Sequence, residues 1–76
     1  MRHNIGQLVK IVDAPDQPRW IKDLVGKVAL IVDYHILNIS YISIRYKVLI
    51  EEKVYEVHPL DIEPLNVKNT QQEYNP

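Results

Sequence analysis

One tryptophan and three tyrosines are the side chains of this chain best suited to gripping another molecule. Trp20 lies in a proline-bounded stretch between Pro18 and Leu24, and with Tyr34, Tyr41 and Tyr55 it can line an aromatic groove for a peptide or a base. The competing reading makes Trp20 a lid over the end of a small core, since an indole buries a large apolar area. Six cations form a second set: Lys10, Arg19, Lys22 and Lys27 from the first loop and its flanks, and Arg45 and Lys47 from a later strand. Converging, they would track a phosphate backbone; dispersed among acids, they would be a solvated face.

Other constellations offer less. Glu51, Glu52 and Glu56 cluster near a hairpin tip, where acids keep a small protein soluble. His3, His35 and His58 are too scattered for a metal-ligand spacing, so no metal and no cofactor is expected. There is no cysteine, no glycine-rich phosphate loop and no serine in an elbow motif, which argues against an enzyme or a small-molecule substrate. His58 before Pro59 has the look of a local structural residue.

The frame that must position these groups is small. The sequence has 76 residues, 46% of them hydrophobic, enough for one domain with a modest core and no disulfides to help it. Lys and Arg total 9 and Asp and Glu 10, so the net charge of −1 offers a polyanion no broad field. Up to Asn38 there are 5 bases and 4 acids, net +1, and beyond it 4 bases and 6 acids, net −2. No stretch has the length of a signal peptide or a membrane span, so a cytoplasmic location without membrane contact is expected.

Strand periodicity dominates the chain. Ile42, Ile44, Tyr46, Val48 and Ile50 fall on every second position, with Ser43, Arg45 and Lys47 between them, the pattern of a strand with one buried face. Before it, strands are expected over Ile5 to Val12 and Val25 to Tyr34, the second with Gly26 where a bulge is tolerated. Between them, Ala14 to Leu24 reads as a long loop with room for a helical turn from Arg19 to Leu24. His35 to Ser40 connects strands two and three, yet Ile36, Leu37 and Ile39 are unusually apolar for a solvated loop, so either the strands extend into it or it meets a partner. Lys53 to His58 makes the fourth strand after a Glu51-Glu52 connection that lacks the usual glycine or asparagine and should be longer or strained. His58 to Asp61 has turn chemistry, and Ile62 to Leu65 is a last strand that Pro64 restricts to an edge or end. Residues 1–65 form the domain, and 66–76 are polar and pattern-free, expected to be a flexible tail.

This order, with Ile5-Gly6-Gln7-Leu8-Val9-Lys10-Ile11, Val25 to Val32, Tyr46 to Ile50, Val54 to Val57 and Leu60 to Leu65 as its carriers, resembles the SH3-like barrel superfamily. The relevant branch holds KOW, Tudor and small phage and bacterial barrel proteins. The resemblance implies an all-β, five-stranded SH3-like barrel whose long first loop corresponds to the RT loop, with a 3-10 turn at Pro59 to Asp61. Asp13, Asp16 and Asp23 stand where SH3 loops carry acids, and Gly26-Lys27-Val28 to Ile31 is similar to part of a KOW motif that lacks its second glycine. The expected function is a non-enzymatic protein-protein interaction module, including self-association, with Trp20 and the Ile36, Leu37, Ile39 stretch as contacts. The alternative is KOW-like binding of RNA or DNA through the six cations. A third class, on phage-like style alone, is a virion or replisome accessory protein.

Overall fold

The computed structural model describes residues 3–37 and 43–65. Its elements are β1 (Leu8–Ile11), a four-residue helix α1 (Arg19–Lys22), β2 (Val28–Ile36), β3 (Ile44–Ile50), β4 (Lys53–Val57), a 3-10 turn (Pro59–Asp61) and β5 (Ile62–Pro64). All pairings are antiparallel, in one sheet of order β4-β3-β2-β1-β5. The all-β class and the five strands are as the sequence leads one to expect, the 3-10 turn is as the resemblance implied, and α1 takes up the room left for a helical turn in the first loop. The barrel is not closed: β4 and β5 stand at opposite ends of the order and do not pair with each other. The expected tail, 66–76, lies outside the described residues.

Both glycines do the same geometric task. Gln7 N–H donates to the Asn4 carbonyl at 3.0 Å and Lys27 N–H to the Leu24 carbonyl at 3.0 Å, closing two four-residue turns whose third residues are Gly6 (φ +91°) and Gly26 (φ +94°). A positive φ at that position is what glycine permits without steric cost. Each glycine also opens a bulge. Gly26 N–H donates to Ile11 O at 2.8 Å while Ile11 N–H donates to Lys27 O at 3.0 Å, so two residues face one. Gly6 and Gln7 face Ile31 in the same way, at 2.7 and 3.0 Å. This corrects the expected starts of the first two strands: Ile5 and Val25 belong to the turns, and the regular ladders begin at Leu8 and Val28.

A third irregularity lies inside β2. Its register against β3 shifts between Ile31 and Asp33, so the core-facing side changes from Ala29 and Ile31 to Tyr34. One extra residue flips the side-chain parity and lets a long strand bend around the core. β2 also runs to Ile36, two residues beyond the expected end, so His35 and Ile36 extend a strand and do not form a loop. The Glu51-Glu52 connection is a tight two-residue one, with Ile50 facing Lys53. Glu51 takes φ +57° and Glu52 N–H reaches the Ile50 carbonyl at 3.0 Å, a γ-turn of the strained hand, as a sequence without glycine or asparagine implied.

One face of the sheet makes the core. Val9, Ile11, Ala29, Ile31, Tyr46, Val48, Ile50, Val57 and Ile62 are buried together, and Ile21 of α1 closes over them. Each buried valine or isoleucine contributes about 1.5 to 3 kcal/mol by leaving water. Tyr34, Ile44, Tyr55 and Leu24 pack at the margin.

Candidate functional site

The first loop is held against the 3-10 turn by a buried polar latch. Gln17 Nε2 donates to the Val12 carbonyl and to Asp61 Oδ1, both at 2.9 Å, while its Oε1 accepts from Ala14 N–H at 3.4 Å. Asp61 Oδ2 accepts from His58 N–H at 3.0 Å, and His58 Nδ1 accepts from Leu60 N–H at 3.0 Å, a reciprocal cap on a very short helix. Val12 N–H adds a bond to the Asp61 carbonyl at 2.8 Å. Gln17 and Asp61 are both buried, so these bonds satisfy groups that would otherwise be costly to remove from water.

On this anchored loop sits α1. Ile21 enters the core, which turns its neighbour Trp20 sideways onto β4, where the indole stacks on Tyr55 with ring centres 5.8 Å apart and planes 17° apart. Trp20 stays 45% exposed. It therefore covers the core's edge at Tyr55 and still presents a face to solvent, part lid and part open surface. Beside it runs a shallow groove of about 440 Å³ lined by Pro15, Pro18, Trp20, Glu56, His58 and Leu60, among others. Leu60 on its rim is 68% exposed.

Of the described members of the expected aromatic set, Trp20 and Tyr55 alone are brought together in this way. Tyr34 is half-buried and turns to Tyr46, with ring centres 6.3 Å apart, as a core-edge residue away from that stack. Tyr41 lies outside the described residues. In the expected apolar contact, Ile36 and Leu37 are 55% and 54% exposed, and Ile39 lies outside the described residues.

The six cations do not gather into one strip. Lys22 pairs with Asp13 at 2.9 Å and Lys27 with Glu51 at 3.1 Å. Lys10 stands between Val28 and Glu63 in register, and Lys47 between Asp33 and Glu56. Arg45 Nη1 donates to the Ile44 carbonyl at 3.0 Å and its residue faces His35, while Arg19 is exposed on α1. Dispersal among acids is the solvated-face arrangement. The hydrogen bond from Lys22, and secondarily its charge, hold the Asp13 carboxyl below the usual carboxylate range.

His35 Nε2 meets Glu56 Oε2 at 3.0 Å across β3, and His58 caps the 3-10 turn, a structural role its place before Pro59 had indicated. His3 is buried edge-on against Tyr46, with ring centres 5.2 Å apart. Among the described residues no three histidine or acidic side chains gather as metal ligands, and no helix is long and apolar enough to cross a membrane. Sequence reasoning missed Gln17 and Asp61. The spacing of His58 to Asp61 carries a capping signal that was there to be found; nothing near Gln17 marks its partner.

No family model matches this chain, and no curated protein matches it. Among solved structures it is similar to the solution structure of the cyanobacterial cytochrome b6f complex subunit PetP. The identity is 18%, the TM-score 0.69, and the match covers 86% of this chain and 82% of that one. At that identity the likeness is one of fold.

Proposed function

We propose that this chain is a non-enzymatic SH3-like protein-interaction module whose contact surface is the corner formed by Trp20, Tyr55 and Leu60. The observation that carries the reading is the half-exposed indole, stacked on Tyr55 and held in place by the Gln17–Asp61 latch beside a groove. Rigid, partly exposed aromatic residues next to an exposed leucine are the kind of anchor on which protein interfaces concentrate their binding energy. The similar fold of PetP, which is described as a subunit of the cytochrome b6f complex, supports a role within a protein assembly.

The test is capture of partners on the tagged chain with and without nuclease, comparing the wild type with Trp20→Ala and with Leu60→Glu. The second variant alters an exposed side chain outside the core, so it separates lost contact from lost fold. Protein partners retained after nuclease and released by both variants are expected. Binding abolished by nuclease and indifferent to both substitutions would replace this reading with nucleic-acid recognition.

A further inference from the structure

The two ends of the sheet are protected unequally. β5 is three residues long and finishes at Pro64, which has no N–H to offer a neighbouring strand. β4 has five residues, no proline and no bulge, and among the described residues its backbone bonds only to β3. Its outward-facing Val54 is 58% exposed. Val54 also ends a row of apolar residues in register across the solvent face, Leu8, Leu30, Leu49 and Val54.

We propose that β4 is the seam of a homodimer, in which β4 of a second copy pairs antiparallel to it about a two-fold axis through Tyr55. This goes beyond the interaction-module reading and does not depend on it. The charges of β4 and the turn that follows it admit a second copy of the strand in one register. In an isologous antiparallel pair with the axis perpendicular to the sheet, each register is centred on one residue, and like charges directly opposite are unfavourable. Centring on Val54 sets Glu52 against Glu56 of the other copy. Centring on Glu56 or on Lys53 sets that residue against itself, and centring on Val57 runs each strand into Pro59 and the 3-10 turn of the other copy. Centring on Tyr55 sets Lys53 opposite Val57, Val54 opposite Glu56 and Glu52 opposite His58, with no like charges facing.

The same register explains the half-open corner. Tyr55 lies on the core side of β4, and a two-fold perpendicular to the sheet preserves sides, so Tyr55 of each copy faces Tyr55 of the other with a Trp20 stacked beside each. The two Val54 side chains become diagonal neighbours, and the apolar rows of the two sheets run on end to end.

Sedimentation equilibrium of the purified chain, read alongside the fluorescence of its lone tryptophan, tests this. The wild type is expected to pass from monomer to dimer with concentration, and the Trp20 emission to shift with the same midpoint. Val54→Glu places like charges opposite Glu56 and should weaken the dimer by about tenfold or more. Val54→Lys places the opposite charge there and should keep the dissociation constant within roughly threefold. Both variants should retain the wild-type circular dichroism, since Val54 lies outside the core. A wild type that stays monomeric up to roughly 1 mM, or a dimer that the two variants weaken equally or not at all, would overturn the proposal.

Discussion

Asp61 joins three parts of the chain through one carboxylate, accepting from Gln17 and from the His58 amide while its own backbone carbonyl takes the Val12 amide. Removing that carboxylate takes the acceptor from a buried Gln17 N–H and a part-buried His58 N–H. Asp61→Ala is therefore expected to lower stability by about 2 to 3 kcal/mol, read as a lower urea midpoint with an unchanged slope, and to loosen the Trp20 stack with it. Asp13 sits at the opposite extreme, exposed and paired with Lys22. Its folded carboxyl titrates below its unfolded value, so what it adds to stability is present above the unfolded pKa and fades as the pH falls through the lowered folded one. Asp13→Asn should flatten the acid side of the stability profile at low salt, and the difference from wild type should shrink as salt is added. A difference that persisted at high salt would mean that another group controls that limb.

At the scale of elements, turn chemistry decides where the strands begin and how they bend. A Cβ added at Gly26 would meet nothing within 4 Å, so Gly26→Ala tests backbone conformation alone. A loss of about 1 to 2 kcal/mol in chemical denaturation is expected from the positive φ. The β3–β4 connection invites the opposite experiment. Replacing Glu51-Glu52 by Asn-Gly supplies residues that accept positive φ and should raise stability by about 1 kcal/mol, despite the loss of the exposed Lys27–Glu51 pair. β3 was legible because apolar residues hold every second position from Ile44 to Ile50, and the strain at Glu51 was legible from the residues missing there. β2 was harder to read. Its apolar run looks continuous, and nothing in the sequence marks the extra residue near Asp33 that reverses its inward side. The stack of Trp20 on Tyr55 and the bond of Gln17 to Asp61 join residues far apart in sequence, and local pattern cannot report such contacts.

For the whole molecule, the first and last strands lie side by side while β2, β3 and β4 follow one another as neighbours. The meander can assemble from contacts close along the chain, but pairing Ile11 with Ile62 must close a loop that contains almost the entire domain. The β1–β5 seam is accordingly expected to form after the folding barrier has been crossed. Ile62→Val should accelerate unfolding and leave the refolding rate nearly unchanged in a chevron measurement, whereas a conservative truncation within β3, such as Ile50→Val, should slow refolding. Equal effects of the two on refolding would place the seam in the nucleus. The order of events is then written in the strand order. Whichever partner this protein meets, it meets a surface whose Asp61 latch is set last, because that latch stands on the same turn that delivers β5.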